Sequence, residues 1–351
     1  MSRTRYVPIL KAKQGELWAL KELDDAGWTG IVPLLDVPTI SHLEKLPSKL
    51  KNCIGSGREL FVDYAWNGKA EEIQNKHGMT FFLEECRTLD LSVVPVVSLN
   101  SPGHLLKAVK EACRQDGRGV CVRLTEDDYS DPLEFLDAFP ATVAKLGLNF
   151  GAVDVVLDLK EIPLGKIHSL TLSTQSFLRR IPETKKLRRL VLASTSFPEN
   201  LNAVSAEGIA CQDRDDWKLW RHIRSLSGSV GRVPIYSDYG IQHPVQATEN
   251  LPPELIKSAP NLRYTIESQW LLMKARGQKR GGCLSSLCEK LIGKEEFCGA
   301  DFSWGDAYIV NCAKGKAKQG NAQIWRKIAT SHHLAFVVNQ LANLDGASDV
   351  A

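Results

Sequence analysis

The chain has 351 residues, of which 43% are hydrophobic and 24% are charged. This composition is typical of a globular protein and excludes a disordered one. No apolar run approaches the roughly 18–20 residues that cross a bilayer, so no membrane partner is expected. The N-terminus leads directly into a strand-like run instead of a signal peptide, which predicts a cytoplasmic protein.

The net charge of +3 is unevenly distributed. Residues 262–327 contain twelve Lys or Arg and six Asp or Glu, a local balance of +6, which is a hint of an anionic partner. The nine cysteines lack the close pairing of structural zinc sites. We therefore predict reduced, mostly buried thiols and no metal among them.

Eight short aliphatic runs recur along the first two thirds of the chain and read as strands that are buried on both faces. They are residues 6–10, 31–35, 59–63, 92–97, 119–124, 152–157, 188–193 and 232–236. Segments with helical periodicity separate them, for example residues 16–26 and 135–146. Four of the runs open on Val-Pro, and their prolines (Pro8, Pro33, Pro95 and Pro234) are predicted at strand beginnings, where a missing N–H matters least.

Alternation of strands and helices with connections of this length predicts parallel pairing through right-handed crossovers. Eight units in about 240 residues predict an α/β fold of the (β/α)₈, TIM-barrel-like class over residues 1–245. A doubly wound sheet is the alternative, but it usually has a Gly-rich turn after the first strand. Residues 246–351 are predicted to be a C-terminal elaboration packed on the barrel.

This C-terminal part departs from the rhythm of the barrel. In chain order we predict a strand at 262–267, a helix at 268–275, a Gly-rich basic loop at 276–282, an aromatic turn at 302–306, a lysine-rich loop at 314–319 and a helix at 324–344. Trp325 and Ile328 can either anchor the last helix in a core or leave Trp325 as a stacking face for a ligand.

Polar residues follow the predicted strands, at the end of a barrel where functional groups project. Asp63, Asp158 and Asp238 are predicted acid–base or cation-binding groups, and Lys160 is a further catalytic candidate, including as a Schiff-base lysine. The predicted ligand-binding residues are Lys11, Lys13, Asp36, Arg123, Ser194 and Tyr239. A divalent cation at the carboxylates is left open. The simpler alternative is that strand ends are polar because loops and helix caps begin there.

The densest polar run lies near the C-terminus. Lys316, Lys318, Asn321, Arg326 and His332 are predicted to bind an anion or nucleic acid. The competing interpretation is that these side chains are simply solvated.

Residues 6–16 (Tyr-Val-Pro-Ile-Leu-Lys-Ala-Lys-Gln-Gly-Glu), the Phe-Ser-Trp-Gly-Asp run at 302–306 and the run at 320–333 resemble the bacterial and phage "beta protein" family over essentially the whole chain. The resemblance implies a role in phage–host conflict but no catalytic residues. Two functions stay open: an enzyme acting on a phosphate-bearing or nucleic-acid ligand at the barrel mouth, and a non-catalytic module that binds a phage or host protein.

Overall fold

The computed structural model describes residues 4–64, 71–205, 208–245, 260–275, 283–318 and 320–348. The strands are, in chain order, β1 (Ile9–Lys11), β2 (Leu34–Val37), β3 (Glu59–Tyr64), β4 (Glu72–Ile73), β5 (Lys76–His77), β6 (Ser92–Val97), β7 (Val120–Leu124), β8 (Val153–Glu161), β9 (Arg189–Thr195), β10 (Ile209–Asp213), β11 (Ile235–Ser237), β12 (Asn261–Thr265) and β13 (Gln269–Lys274).

Eight of these strands form one parallel sheet in the order β1-β2-β3-β6-β7-β8-β9-β11. The two edges of the sheet meet, because the Val7 N–H donates to the Tyr236 carbonyl at 3.0 Å and the Ile9 N–H to the Asp238 carbonyl at 2.8 Å. Sequential order and edge closure define a (β/α)₈ barrel, as the strand rhythm predicted.

All eight predicted barrel strands are present, with their ends shifted by a few residues. Pro8, Pro33 and Pro234 each directly precede a strand, as expected. Pro95 is the exception, since it lies inside β6. There it is register partner to Val62 of β3, and the pairing of β6 with β7 begins one residue later, at Val96. Proline has no backbone N–H to donate, and it is tolerated at this position because the hydrogen bonding between β6 and β7 has not yet begun there.

The helices are α1 (Gln14–Lys21), α2 (Asp25–Trp28), α3 (Ile40–Cys53), α4 (Gly78–Thr88), α5 (Gly103–Asp116), α6 (Glu126–Tyr129), α7 (Pro132–Lys145), α8 (Ile167–Leu178), α9 (Asp215–Ser225), α10 (Cys283–Ile292), α11 (Trp304–Ala313) and α12 (Ala322–Ser348). Among these described helices, none combines the length and the apolarity of a membrane span.

The chain divides into two compact units. The barrel unit comprises the described residues of Met1–Ala12, Ile31–Ser194 and Asp216–Asp238. The second unit comprises those of Lys13–Gly30, Thr195–Asp215 and Tyr239–Ala351. The second unit thus draws on two earlier stretches of the chain as well as on its C-terminal third.

The second unit contains an antiparallel sheet in the order β10-β13-β12. The strand predicted near residue 262 is confirmed as β12, but the helix predicted at 268–275 is wrong, because Gln269–Lys274 is the central strand β13. Its apolar run at 270–273 is buried. A short apolar run has no periodicity that separates strand from helix, and pairing on both sides decided the outcome.

Helix α12 confirms the predicted C-terminal helix and packs against α1, α11 and β12. Trp325 and Ile328 are buried in the core of the second unit with Tyr264, Met273 and Leu287. This confirms that the two residues anchor the helix. The Gly-rich loop predicted at 276–282 lies outside the described residues.

Candidate functional site

Strand register brings three of the predicted site residues into one layer of the barrel unit. Lys11 of β1 is register partner to Asp36 of β2, and Asp36 is register partner to Asp63 of β3. All three stand at the carboxyl ends of their strands, where the sequence predicted them. The Lys11 ammonium lies 3.9 Å from the Asp36 carboxylate.

Arg123 of β7 holds three carboxylates together. Its Nη1 donates to Asp36 at 2.7 Å and to Asp63 at 2.6 Å, while Nε donates to Asp158 of β8 at 2.9 Å. A side chain on β7 reaches β2 only across the barrel interior, so the four residues converge inside the mouth. We call Lys11, Asp36, Asp63, Arg123 and Asp158 the mouth cluster.

The members of the mouth cluster differ in their access to solvent. Asp63 and Asp36 keep 22% and 18% of their side-chain surface exposed, whereas Asp158 is fully buried. The second oxygen of Asp158 accepts the Lys160 N–H at 2.9 Å. Asp158 therefore fixes Arg123, and Asp63 and Asp36 are the carboxylates that a ligand can reach. Arg123, one of the predicted ligand-binding residues, is thus held among three carboxylates.

The electrostatics single out Asp63. Burial raises the pKa of its carboxyl, and the nearby Asp36 and Asp158 carboxylates raise it further, against the opposing effect of Arg123. Carboxylates that share a site split their proton affinities in this way, which is how enzymes obtain a general acid or base.

The raised pKa of Asp63 predicts a specific dependence of stability on pH. Because the native carboxyl binds its proton more tightly than the unfolded one, stability falls as pH rises from the ordinary aspartate range through the native pKa. Asp63→Asn should therefore make stability fall less steeply as pH rises through this range. Urea unfolding at several pH values measures it. Glu44→Gln, which removes an exposed carboxylate on α3, is the control; an unchanged slope in Asp63→Asn would contradict the prediction.

Two other predicted catalytic residues lie in different surroundings. Asp238 is fully buried and accepts the Tyr6 hydroxyl at 2.6 Å, and the Tyr236 hydroxyl lies 3.0 Å from its other oxygen. These bonds join the first and last strands of the barrel and so stabilise its closure. Lys160 is exposed, unlike the desolvated lysine that forms Schiff bases. Ser194 is buried in β9.

The remaining predictions fall in the second unit. Lys13 is the N-cap residue of α1, and Tyr239 is buried. Lys316 and Lys318 are exposed, and Asn321 caps α12 by accepting the Ile324 N–H at 3.1 Å.

His332 is fully buried and is not placed to touch an external anion. Its Nε2 lies 2.8 Å from the Thr265 carbonyl oxygen, and its Nδ1 lies 2.9 Å from the Asp306 carboxylate. Asp306 also accepts the hydroxyls of Tyr264 and Ser303. The family-like motifs around residues 302–306 and 332 therefore build an internal polar network that joins α11, α12 and β12.

A second network of ion pairs was not predicted from the sequence. At the opposite ends of the barrel strands, fully buried Asp154 accepts from Arg188 and also pairs with Arg189 at 3.4 Å. Arg189 bonds Glu59 at 2.5 Å. The available signal was one aspartate inside the apolar run of β8. Paired charges at this rim serve stability, because the functional groups of such barrels lie at the other end.

A cavity of about 220 Å³ in the barrel unit lies outside the mouth. It is lined by Tyr129, Leu157, Leu159, Leu170, Ser173, Thr174, Ser176, Phe177 and Arg180. Side chains alternate between the faces of a strand, so Leu157 points away from the barrel interior that Asp158 enters. The cavity is thus separate from the mouth cluster.

Within the described ranges, no group of three or more His, Cys, Asp or Glu side chains is arranged to hold a metal ion. In the mouth cluster the guanidinium of Arg123 lies among the carboxylates. This is the position at which the sequence analysis left a bound divalent cation as an open alternative.

Several solved structures resemble the chain at low identity. A mutant tryptophan synthase alpha-subunit from the hyperthermophile Pyrococcus furiosus aligns with a TM-score of 0.41 and 16% identity, covering 68% of this chain and 88% of that one. Another structure of the same subunit gives 0.41 and 17%, covering 69% and 90%. PipY of Synechococcus elongatus, solved without PLP, gives 0.35 and 12%, covering 67% and 89%.

No curated protein sequence matches the chain. A family model, by contrast, matches almost its whole length. The model described as "Beta protein" covers residues 6–339 and so includes the opening run, the mouth cluster and the network around His332. The chain belongs to the Beta protein family.

Proposed function

We propose that the protein is an enzyme in which Asp63 transfers a proton to or from a polar ligand at the barrel mouth. The observation that carries this proposal is the accessible Asp63 carboxyl, held by Arg123 beside two other carboxylates. A general acid or base needs access to the reacting atom, a fixed orientation and an adjusted proton affinity. The partial exposure of Asp63, its bond from Arg123 and its raised pKa support this role, and the partly exposed Asp36 is a candidate to accept a hydrogen bond from the same ligand.

The net charge of the mouth cluster indicates which chemical groups of a ligand it can bind. Three carboxylates and two cations leave one net negative charge, and Arg123 is bonded to the carboxylates. This supports a hydroxyl or amino group of the ligand at Asp63 and Asp36. The phosphate predicted for the ligand needs cations other than Arg123.

Incubation of the purified full-length protein with a bacterial small-molecule extract, followed by mass spectrometry, tests the proposal. The wild type should deplete or produce specific compounds that Asp63→Asn leaves unchanged. Glu111→Gln is the matched control, because it removes an exposed carboxylate outside the cluster. Thermal unfolding of each variant verifies that it is folded.

The alternative is a binding module in which the mouth cluster only holds strands together. The complete burial of Asp158 and its bonds to Arg123 and to the Lys160 N–H favour it. Identical extract profiles for the wild type and Asp63→Asn would overturn the enzyme proposal and leave this alternative.

A role in phage–host conflict, as the family resemblance implies, is part of the same proposal. Bacteria expressing the wild type should resist a phage panel better than those expressing Asp63→Asn at equal protein level. Equal plaque counts for the two strains would remove Asp63 from that role.

A further inference from the structure

The second unit gathers three cations around one carboxylate. Helix α1 packs against α12, and the helices approach so closely at Gly15 that a Cβ there would lie 2.9 Å from the Arg326 Cβ. This contact brings Glu16, the residue after Gly15, next to Arg326. Lys13, at the start of α1, and Arg263, on β12, complete what we call the basic cluster.

Glu16 does not form a hydrogen bond with Arg326. The Glu16 side chain is buried and accepts the Gln242 amide, and its Oε1 lies 3.9 Å from Arg326 Nη1, beyond hydrogen-bond distance. Among the residues that the structure describes, the buried Nη1 has no hydrogen-bond partner. The Arg326 side chain as a whole keeps 27% of its surface exposed.

Arg263 has partners, but those shown for it are uncharged. Its Nη1 donates to the Ile241 carbonyl at 2.8 Å and its Nε to the Asn261 amide oxygen at 3.2 Å. The guanidinium carbon lies 5.1 Å from the centre of the Phe197 ring. Ile241 precedes Gln242, so a short path of contacts connects Arg263 to Glu16.

The charges of the basic cluster do not balance. Arg263 and Arg326 carry two positive charges against the single charge of Glu16. Burial and the nearby Arg326 together lower the pKa of Arg263 to about 9. Burial also lowers the pKa of Arg326 and raises that of Glu16. Buried charge without a counter-charge is costly, and a bound anion removes that cost.

We propose that the basic cluster binds the phosphoryl group of a small molecule, with the guanidinium of Arg326 donating to the phosphate oxygens. Arg263 and Lys13 supply the additional positive charge that a dianion needs, and guanidinium groups suit phosphate because their planar N–H groups match its oxygens. This site lies in the second unit and does not depend on the proton transfer proposed for Asp63.

Calorimetric titration of the full-length protein with sodium phosphate, at constant ionic strength set by chloride, tests the site. Saturable binding is expected. Arg326→Gln should weaken it at least tenfold, since a charged hydrogen bond is lost (about 1.4 kcal/mol per factor of ten). Glu16→Gln should strengthen it severalfold, because a competing carboxylate is removed.

The double variant Lys316→Gln/Lys318→Gln is the matched control, because it removes two exposed cations outside the basic cluster. It should bind phosphate as the wild type does. Binding that does not saturate, that survives Arg326→Gln, or that disappears in the lysine variant would overturn the proposal. The last outcome would favour a nucleic-acid backbone at the exposed lysines.

A stability measurement keeps the test valid even if Arg326→Gln binds nothing because it is unfolded. In phosphate-free buffer the double variant Arg326→Met/Glu16→Gln should have a Tm no lower than the wild type, since it removes both buried charges of the pair. Added phosphate should raise the Tm of the wild type but not of this variant. If Arg326→Met/Glu16→Gln unfolds at a much lower Tm and Glu16→Gln alone does not tighten phosphate binding, Arg326 is a structural partner of Glu16 and the proposal is overturned.

Discussion

Replacing Arg123 with methionine is expected to destabilise the protein strongly, by about 3–5 kcal/mol at neutral pH. The change keeps much of the volume of the side chain but leaves the carboxylates of Asp36, Asp63 and Asp158 together without their shared cation. Asp158 is fully buried and cannot regain water. Denaturant unfolding measures the loss, and part of it should be recovered at acidic pH, where protonation removes the repulsion.

Arg114→Gln is the control for this experiment. Arg114 also pairs with a carboxylate, Glu111 at 2.6 Å, but 74% of its side chain is exposed. Exposed pairs contribute little because water screens them. A similar small effect for both variants would mean that the mouth cluster is not held by Arg123. A further double variant, Arg123→Met with Asp158→Asn, should be more stable than Arg123→Met alone.

Gly305→Ala is expected to destabilise the second unit although it adds one methyl group. A Cβ at Gly305 would lie closer than 3.0 Å to the Ile328 carbonyl oxygen and 3.3 Å from the His332 backbone nitrogen. Backbone atoms of α12 cannot move aside as a flexible side chain can. Overpacking of this kind costs about 3 kcal/mol, which corresponds to a loss of roughly 5–10 °C in Tm.

Gly293→Ala provides the matched control in the same unit, because its Cβ would find only ordinary contacts, the nearest at 3.6 Å. Calorimetry of the two variants should show a lowered Tm for Gly305→Ala and little change for Gly293→Ala. Equal transitions would show that α11 and α12 can separate without cost. The comparison also tests why glycine stands in the motif at 302–306, where Ser303 caps α11.

The two ion networks of the barrel unit differ in what they can do. Asp154 is fully buried at the end of the barrel where strands begin, and its arginine partners are Arg188 and Arg189. Asp63 and Asp36 share one arginine and keep part of their surface exposed. The first arrangement suits stability, and only the second offers oxygens to a ligand.

The sequence by itself determined the alternation of strands and helices. Continuous apolar runs at a regular spacing are typical of parallel strands joined by helices, and all eight strands were found. Closure of the sheet into a barrel depended on the backbone hydrogen bonds between its first and last strands. The sequence also placed Asp36, Asp63, Arg123 and Asp158 at strand ends, because the polar residue that follows an apolar run marks the end of a buried strand.

Only the tertiary structure decided how those residues are used. Which side chains contact each other depends on strand register and on how far each side chain extends across the barrel interior. Neither can be inferred from the local sequence. Arg123, predicted as a ligand-binding residue, lies among three carboxylates, and Asp238, predicted as an acid–base group, accepts the Tyr6 hydroxyl at the closure of the barrel. Burial of His332 depended on residues more than 60 positions away. Residue type and spacing located the mouth; packing determined that Asp63 and Asp36 are the carboxylates that remain accessible.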